Sequence, residues 1–287
     1  MKRHDRASEN IGNIVALEHV NLQAPDQRLS TLFYITGLGL TRDPFLTTGV
    51  TNMWVNVGRS QFHLPTSSAQ HLRGRIGLVM PDLDALTRRL SIVKKQLEGT
   101  KFKFTRKKGD DLVDVTCPWG NHFRCHAASK KFAPIALGMA YLEFDVPKGT
   151  ANGIGRFYRE IFGAPVSMEA NGSAPAARVE VGYRQTLIFR ESKNVADYDG
   201  HHIQIYLANF SAPHARLDDL GVITEDHSQF QYRFTDIVDL DNGKLLFQLE
   251  HEVRSMTHPL YGRNLVNRNL EQTNASFSPG YEELAWR

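Results

Sequence analysis

The chain has 287 residues, of which 41% are hydrophobic and 23% charged, a length that suits one large or two ordinary globular domains. Its 34 Lys and Arg residues exceed its 31 Asp and Glu residues by only three, too small an excess for a nucleic-acid-binding surface. Two cysteines exclude a disulfide framework, and no apolar run approaches the roughly 20 residues that cross a bilayer. We therefore expect a cytoplasmic protein without a nucleic-acid or membrane partner.

The first predicted element is a strand at residues 17–25, in which Val20 and Leu22 alternate with His19 and Asn21. A helix over residues 26–36 follows and ends near a glycine, as helices prefer. Three more strands are predicted after this helix. The first part of the chain therefore indicates a βαβββ module.

The same pattern returns three times along the chain. A close copy begins at residues 141–147 and continues into a helix over residues 149–161. Phe33 and Gly39 in the first copy, and Phe157 and Gly163 in this one, have the same separation of six residues (39 − 33 and 163 − 157). Two weaker copies follow the same order. One has its first strand at residues 75–81 and its helix at residues 82–97, and the other has its first strand at residues 202–208 and its helix at residues 211–219.

An internal repeat of this kind predicts an α+β fold: four βαβββ modules form two curved mixed-sheet domains with helices on the outer faces. We predict an N-terminal domain at residues 13–128, a C-terminal domain at residues 136–254 and a C-terminal tail at residues 255–287. The polar residues of the strands lie on the side away from the helices, so each curved sheet should enclose a polar cavity.

These features resemble the vicinal oxygen chelate superfamily. They are a strand with an inward-facing histidine, an amphipathic helix that ends in Phe-Tyr and a nearby glycine, and a last strand after the turn at residues 239–243. The superfamily includes glyoxalase I, bleomycin-resistance proteins and extradiol dioxygenases. The resemblance covers residues 15–253 approximately and implies the fold, but one scaffold of this kind supports several reactions.

The resemblance also implies a metal site, because the superfamily takes ligands from the first and last strands of its modules. His19, His63 and His202 occupy such positions, and the last strand of the fourth module offers Gln248 or Glu250. Gln248 lies 46 residues and Glu250 48 residues after His202, and these separations do not decide between the two. We favour Glu250 because a carboxylate is the better ligand for a divalent ion. Such a set suits Fe(II), Mn(II), Zn(II) or Ni(II).

Two pairings of the modules are open. If the first pairs with the fourth, His19, His63, His202 and Glu250 converge. If the first pairs with the second and the third with the fourth, the metal ligands are Glu143, His202 and Glu250, and His19, His63 and His126 line a separate cavity.

The resemblance implies a metal-dependent enzyme that acts on a small oxygen-chelating or aromatic substrate, with extradiol-dioxygenase-like or glyoxalase-like chemistry. Tyr141 stands where the dioxygenases have a histidine, and His63 where glyoxalases commonly have a glutamate. The candidate catalytic groups are Tyr206, Glu143 and His258. The candidate residues of the substrate pocket are Gln248, Gln204, Tyr141 and Trp54.

A second hypothesis is a metal-free protein of the bleomycin-resistance type, which sequesters a planar ligand against aromatic side chains such as Trp54 and Tyr141. In both hypotheses the partner is a small molecule, and a homo-oligomer remains possible.

Overall fold

The computed structural model describes residues 4–46, 49–107, 109–132, 134–170 and 174–268. Within these residues the order strand, helix, three strands occurs four times. The strands are β1 (Ile14–Asn21), β2 (Thr41–Arg42), β3 (Asn52–Val57), β4 (Ser60–Pro65), β5 (Gly74–Met80), β6 (Lys103–Thr105), β7 (Leu112–Thr116), β8 (His122–Ala127), β9 (Gly138–Pro147), β10 (Val166–Glu169), β11 (Ala176–Glu180), β12 (Thr186–Ser192), β13 (His202–Leu207), β14 (Ile223–Ser228), β15 (Gln231–Val238) and β16 (Leu245–Ser255). The helices are α1 (Gln27–Ser30), α2 (Leu83–Val93), α3 (Ala151–Phe162) and α4 (Ser211–Asp219), with a 3₁₀ turn at Ala7–Glu9 and a π-helix at Thr31–Gly37. The predicted α+β fold of four βαβββ modules is confirmed.

The helices form where the predicted stripes of apolar residues lie. In α3, the side chains of Ile154, Phe157, Tyr158 and Ile161 recur at helical spacing and are all buried. This helix ends at Gly163, which has the left-handed φ of 62° that glycine adopts without steric cost. None of the described helices has the length and apolar character needed to cross a membrane.

Two of the helices differ in detail from the prediction. The first continues from α1 into the π-helix Thr31–Gly37, and α2 ends at Val93 rather than near residue 97. Both begin at an aspartate, Asp26 or Asp82, whose carboxylate accepts hydrogen bonds from backbone N–H groups of the first turn.

The strands form two mixed sheets of eight strands each. Their orders are β14-β15-β16-β13-β1-β4-β3-β2 and β10-β11-β12-β9-β5-β8-β7-β6. In the first two modules the first and last strands pair in parallel, β1 with β4 and β5 with β8. The helix of the module is the crossover that such a parallel pair needs.

The described residues form two compact units. One comprises the residues up to Leu17, Asp145–Val195 and Gln204–Tyr261, and its core includes the packed rings of Phe157, Phe162 and Phe234. The other comprises Glu18–Phe144, Ala196–Ile203 and the residues from Gly262 onward, and its core includes the rings of Phe33, Tyr34, Phe62 and Phe123. We call them the α3 unit and the α2 unit.

Residues 262–268 are bound to the first module within the α2 unit. The buried side chain of Asn267 accepts a hydrogen bond from Gly58 N at 3.0 Å and donates one to Gly58 O at 2.8 Å. Arg263 donates to the buried carboxylate of Asp43 at 2.9 Å. This segment therefore satisfies polar groups that the first module leaves buried.

Candidate metal centre

Strand register places two histidines on one face of the first sheet. In the parallel pair of β1 and β4, His19 lies opposite Gln61 and Asn21 lies opposite His63. Since side chains alternate between the faces of a strand, His19 and His63 share one face, while Val20 and Phe62 face the apolar core. His202, the first residue of β13, belongs to the same compact unit.

The three imidazoles form a cluster that could hold a metal ion. One nitrogen of each ring lies within 4.8 Å of the corresponding nitrogens of the other two. The ring centroid of His19 is 5.9 Å from that of His63 and 5.7 Å from that of His202. His19 and His202 are buried and His63 is half-buried. We call this group the three-histidine cluster.

The donor set fits a divalent transition metal. Two imidazole nitrogens bound at roughly 2.1 Å to one ion can be up to about 4.2 Å apart, so small side-chain rotations would bring the cluster from 4.8 Å to that spacing. Neutral imidazole is a good ligand for Zn, Cu, Fe and Ni. Three protein ligands would leave positions open for substrate or water, as in catalytic sites.

Neighbouring groups orient the rings of His19 and His63. Glu18 Oε2 lies 3.5 Å from His19 Nδ1 and favours the tautomer in which Nδ1 carries the proton and Nε2 is the ligand. Asn52 Nδ2 lies 3.0 Å from His63 Nε2, and Asn52 Oδ1 has no hydrogen-bond partner among the described residues. If the amide is turned over, Oδ1 accepts the Nε2–H proton, and Nδ1 is then the His63 nitrogen that would bind a metal. Trp54 stacks on His63, with centroids 3.9 Å apart and planes 12° apart.

Gln70 holds the segment before His202 to β1. Its Oε1 accepts a hydrogen bond from Gln23 N at 3.0 Å and lies 3.4 Å from Asn21 Nδ2, while its Nε2 donates to Asp199 O at 3.0 Å. The Asp199 carboxylate in turn binds His201 Nδ1 at 2.7 Å. Burial lowers the pKa of His201 and the carboxylate partly offsets that effect, so this imidazole is a neutral structural group. Sequence reasoning missed Gln70, which lies on no repeat position.

The structure brings together three of the four predicted ligands. Glu250, the fourth, lies in the α3 unit, where its carboxylate forms an ion pair with Arg233. Gln248, the competing residue, donates from Nε2 to Asp236 Oδ1 at 3.0 Å. The choice between Gln248 and Glu250 as a ligand stays a prediction.

Two of the predicted catalytic side chains lie near each other within the α3 unit. The ring of Tyr206 is 6.4 Å from that of His258 and 4.8 Å from that of Tyr261. Tyr206 is buried, and so is Gln204, whose amide has no hydrogen-bond partner among the described residues. The catalytic roles of Tyr206 and His258 and the pocket role of Gln204 stay predictions.

The remaining predicted residues lie on β9, in the second sheet. Glu143 Oε1 is 3.6 Å from Arg75 Nε, and the Tyr141 hydroxyl is 2.9 Å from His126 Nε2. The contacts of His19 with His63 and His202 agree with the pairing of the first and fourth modules.

The sequence matches no protein-family model and no curated protein. The structure is similar to glyoxalase I from Zea mays, with 13% sequence identity and a TM-score of 0.60 over 83% of this chain and 92% of that chain. It is also similar to a provisionally assigned dioxygenase from Bacillus subtilis subsp. subtilis str. 168, with 12% identity and a TM-score of 0.57 over 86% and 87% of the two chains. The predicted resemblance is thus confirmed for the vicinal oxygen chelate fold. At this identity the likeness extends to the fold alone.

Proposed function

We propose that this protein is a metal-dependent enzyme that binds one divalent transition-metal ion through His19, His63 and His202. The observation that carries the proposal is the convergence of three imidazole nitrogens within 4.8 Å of one another. Fe(II), Mn(II), Zn(II) and Ni(II) all suit such ligands. The fold shared with a glyoxalase I and a provisionally assigned dioxygenase supports the same class of protein.

The proposed substrate is a small molecule, oxygen-rich or aromatic, that presents two adjacent oxygen atoms. When bound, the ion would act as a Lewis acid toward these oxygens, as glyoxalase-like isomerisation requires. Dioxygenase-like ring cleavage would in addition need O₂ as the oxidant and a redox-active ion such as Fe(II) or Mn(II). The protein's own groups prepare the site: Glu18 holds the Nδ1 proton of His19, Asn52 holds Nε2 of His63, and Trp54 covers one face of the His63 ring.

Cobalt binding tests the metal site independently of any activity. We expect untagged protein to bind one equivalent of Co²⁺ with visible absorption bands typical of nitrogen ligation. His202→Ala should weaken binding at least about 100-fold, because an imidazole ligand contributes more than the outer partners whose loss costs 10–100-fold. His122→Ala, which removes an exposed imidazole on β8 of the same unit, is the matched control and should bind like the wild type.

Two outcomes would contradict the proposal. One is wild-type protein that binds no Co²⁺ at micromolar concentration, and the other is an equal loss of affinity in His202→Ala and His122→Ala. Glu250→Gln in the same titration tests the predicted fourth ligand: a drop in affinity supports it, and an unchanged affinity removes Glu250 from the ligand set.

The second candidate is metal-free sequestration of a planar ligand, in the manner of bleomycin-resistance proteins. The observation that favours it is the aromatic wall in which Trp54 stacks on His63 and meets the His19 ring edge-on at 5.0 Å. The hypothesis requires tight ligand binding by protein without metal and unchanged ligand affinity after Co²⁺ is added.

A further inference from the structure

The second sheet carries a group of polar side chains whose positions parallel those of the three-histidine cluster. In the parallel pair of β5 and β8, Gly77 lies opposite Arg124, and His126 lies two residues further on. His19 lies opposite Gln61 in the same way, with His63 two residues further on. By register, therefore, Gly77 takes the place of His19, and His126 takes the place of His63.

Tyr141 fills the space that this glycine leaves. It lies opposite Gly77 in the antiparallel pair of β5 and β9. A Cβ atom on Gly77 would lie only 2.1 Å from Cε1 of the Tyr141 ring. The ring therefore packs directly on the backbone of β5, at a position where only glycine fits. The Tyr141 hydroxyl thereby reaches β8, where it lies 2.9 Å from His126 Nε2. A hydrogen-bonded phenol and imidazole stand where the first sheet has its candidate ligands.

This phenol–imidazole pair is neutral near pH 7. Burial raises the pKa of Tyr141 to about 12, so its hydroxyl stays protonated and donates to His126. Burial, together with the positive charges of Lys131 and Arg124, lowers the pKa of His126 to about 4. The Nε2 nitrogen of His126 is thus occupied as a hydrogen-bond acceptor.

Two guanidinium groups share a sheet face with this pair. Arg75 lies two residues before Gly77 on β5, and Arg124 lies opposite Gly77 on β8, so their Cα atoms are roughly 8 Å apart. Their carboxylate contacts are long: Arg75 Nε is 3.6 Å from Glu143 and Arg124 Nε is 3.4 Å from Asp114. Arg124 is also hydrogen-bonded to the Tyr141 hydroxyl. Charge-assisted hydrogen bonds are usually about 2.7–2.9 Å long and often bidentate. Both arginine side chains are about two-fifths exposed and can accept another anion.

Aromatic surface and a third cation lie beside His126. The ring of Phe132 is 4.9 Å from that of His126, and Lys131 Nζ lies 5.2 Å from the Phe132 centroid. Flat apolar surface next to guanidinium groups is suited to a ligand that has an aromatic ring and a carboxylate.

We propose that Arg75, Arg124, His126, Lys131, Phe132 and Tyr141, the Tyr141 cluster, form a second, metal-independent site for a planar aromatic carboxylate. The arginines bind the carboxylate, and the rings of Phe132 and Tyr141 contact the aromatic ring. The site would let the protein hold an aromatic acid apart from the three-histidine cluster, and it does not depend on the function proposed for that cluster.

Benzoate titration of chelator-treated, full-length protein tests this proposal by calorimetry. We expect millimolar or tighter binding of benzoate and at least tenfold weaker binding of benzamide, which has the same shape without the charge. Arg124→Ala and Arg75→Ala should each raise the Kd for benzoate at least tenfold. Arg88→Ala, at an exposed position of α2 in the same unit, and His202→Ala, in the three-histidine cluster, should leave the Kd within twofold of the wild-type value.

Three results would overturn the proposal: no benzoate binding, wild-type affinity in Arg124→Ala, or loss of binding in His202→Ala. The last would place the carboxylate at the three-histidine cluster instead. Imidazole NMR of the wild-type protein gives an answer even if a variant does not fold. Benzoate should shift the ring resonances of His126 and leave those of the fully buried His251 unchanged; the reverse pattern, or no shift at His126, contradicts the site.

Discussion

Mild acid should destabilise this protein through His251. This residue lies on β16 and is completely buried, with its ring stacked on Phe234 at a centroid distance of 4.3 Å. Its Nδ1 donates to Leu249 O at 2.6 Å, and its Nε2 accepts from the Tyr158 hydroxyl at 2.5 Å. Burial raises the pKa of Tyr158 well above its usual value, so the phenol remains a donor and the imidazole must stay neutral.

The magnitude follows from proton linkage. Burial lowers the pKa of His251 to about 3, with a smaller opposing effect from the Leu249 carbonyl, whereas an unfolded histidine titrates near 6.5. Between these values the unfolded chain binds one more proton than the folded chain. The stabilisation is therefore complete above pH 6.5 and is lost by about 1.4 kcal/mol for each pH unit below it. From pH 6.5, where the unfolded imidazole is already half protonated, to pH 5 the loss is about 1.6 kcal/mol.

Urea unfolding followed by circular dichroism at pH 6.5 and pH 5 can measure this loss. The comparison protein is the double variant Tyr158→Phe/His251→Leu, which removes both partners and so leaves no buried hydroxyl without an acceptor. His126 and His201 titrate in both proteins, so their contributions cancel in the difference. The free energy of unfolding of the wild type should fall by about 1.6 kcal/mol more than that of the variant. Equal falls would refute the reasoning.

Three further predictions concern the α2 unit. Gly77→Ala places a methyl group against the Tyr141 ring and should lower the free energy of unfolding, measured in urea, by more than about 2 kcal/mol. In a Tyr141→Ala background the same change should cost much less, and equal costs would contradict the packing. Glu18→Gln removes the carboxylate beside His19 and should weaken Co²⁺ binding by about 10–100-fold in equilibrium titration, with unchanged affinity as the opposing result. Asn267→Ala leaves the buried backbone N–H and C=O of Gly58 without these partners and should cost about 1–3 kcal/mol in the same unfolding assay, while a cost near zero would mean that water replaces the amide.

The repeated modules could be predicted because their information is local. Alternation along β1 and the buried stripe of α3 are visible in short windows, and the glycine that ends a helix follows from backbone sterics. The shift from α1 to the π-helix Thr31–Gly37 depends on hydrogen bonding within the folded chain, and no residue pattern predicts it.

The site could be predicted in part for the same reason. His19, His63 and His202 occupy repeat positions, so the repeat itself selects them. The residues that support the cluster do not occupy repeat positions. Gln70 contacts Asn21 of β1 across 49 residues of sequence, and Asn52 meets His63 only through the register of β3 with β4. Long-range strand register likewise decides with which cation a carboxylate such as Glu250 forms an ion pair, and this register cannot be derived from a single sequence.

The bonds of residues 262–268 bear on how the protein can be divided for separate study. Cutting the gene at the predicted boundary near residue 128 would yield a first half without Arg263 and Asn267. In that half, the Asp43 carboxylate would lose its guanidinium partner, and the backbone of Gly58 would lose both hydrogen bonds to the Asn267 amide. The cut alone should lower the stability of the first half. Adding residues 262–268 as a separate peptide, or joining them to the first half through a short linker, should restore that stability.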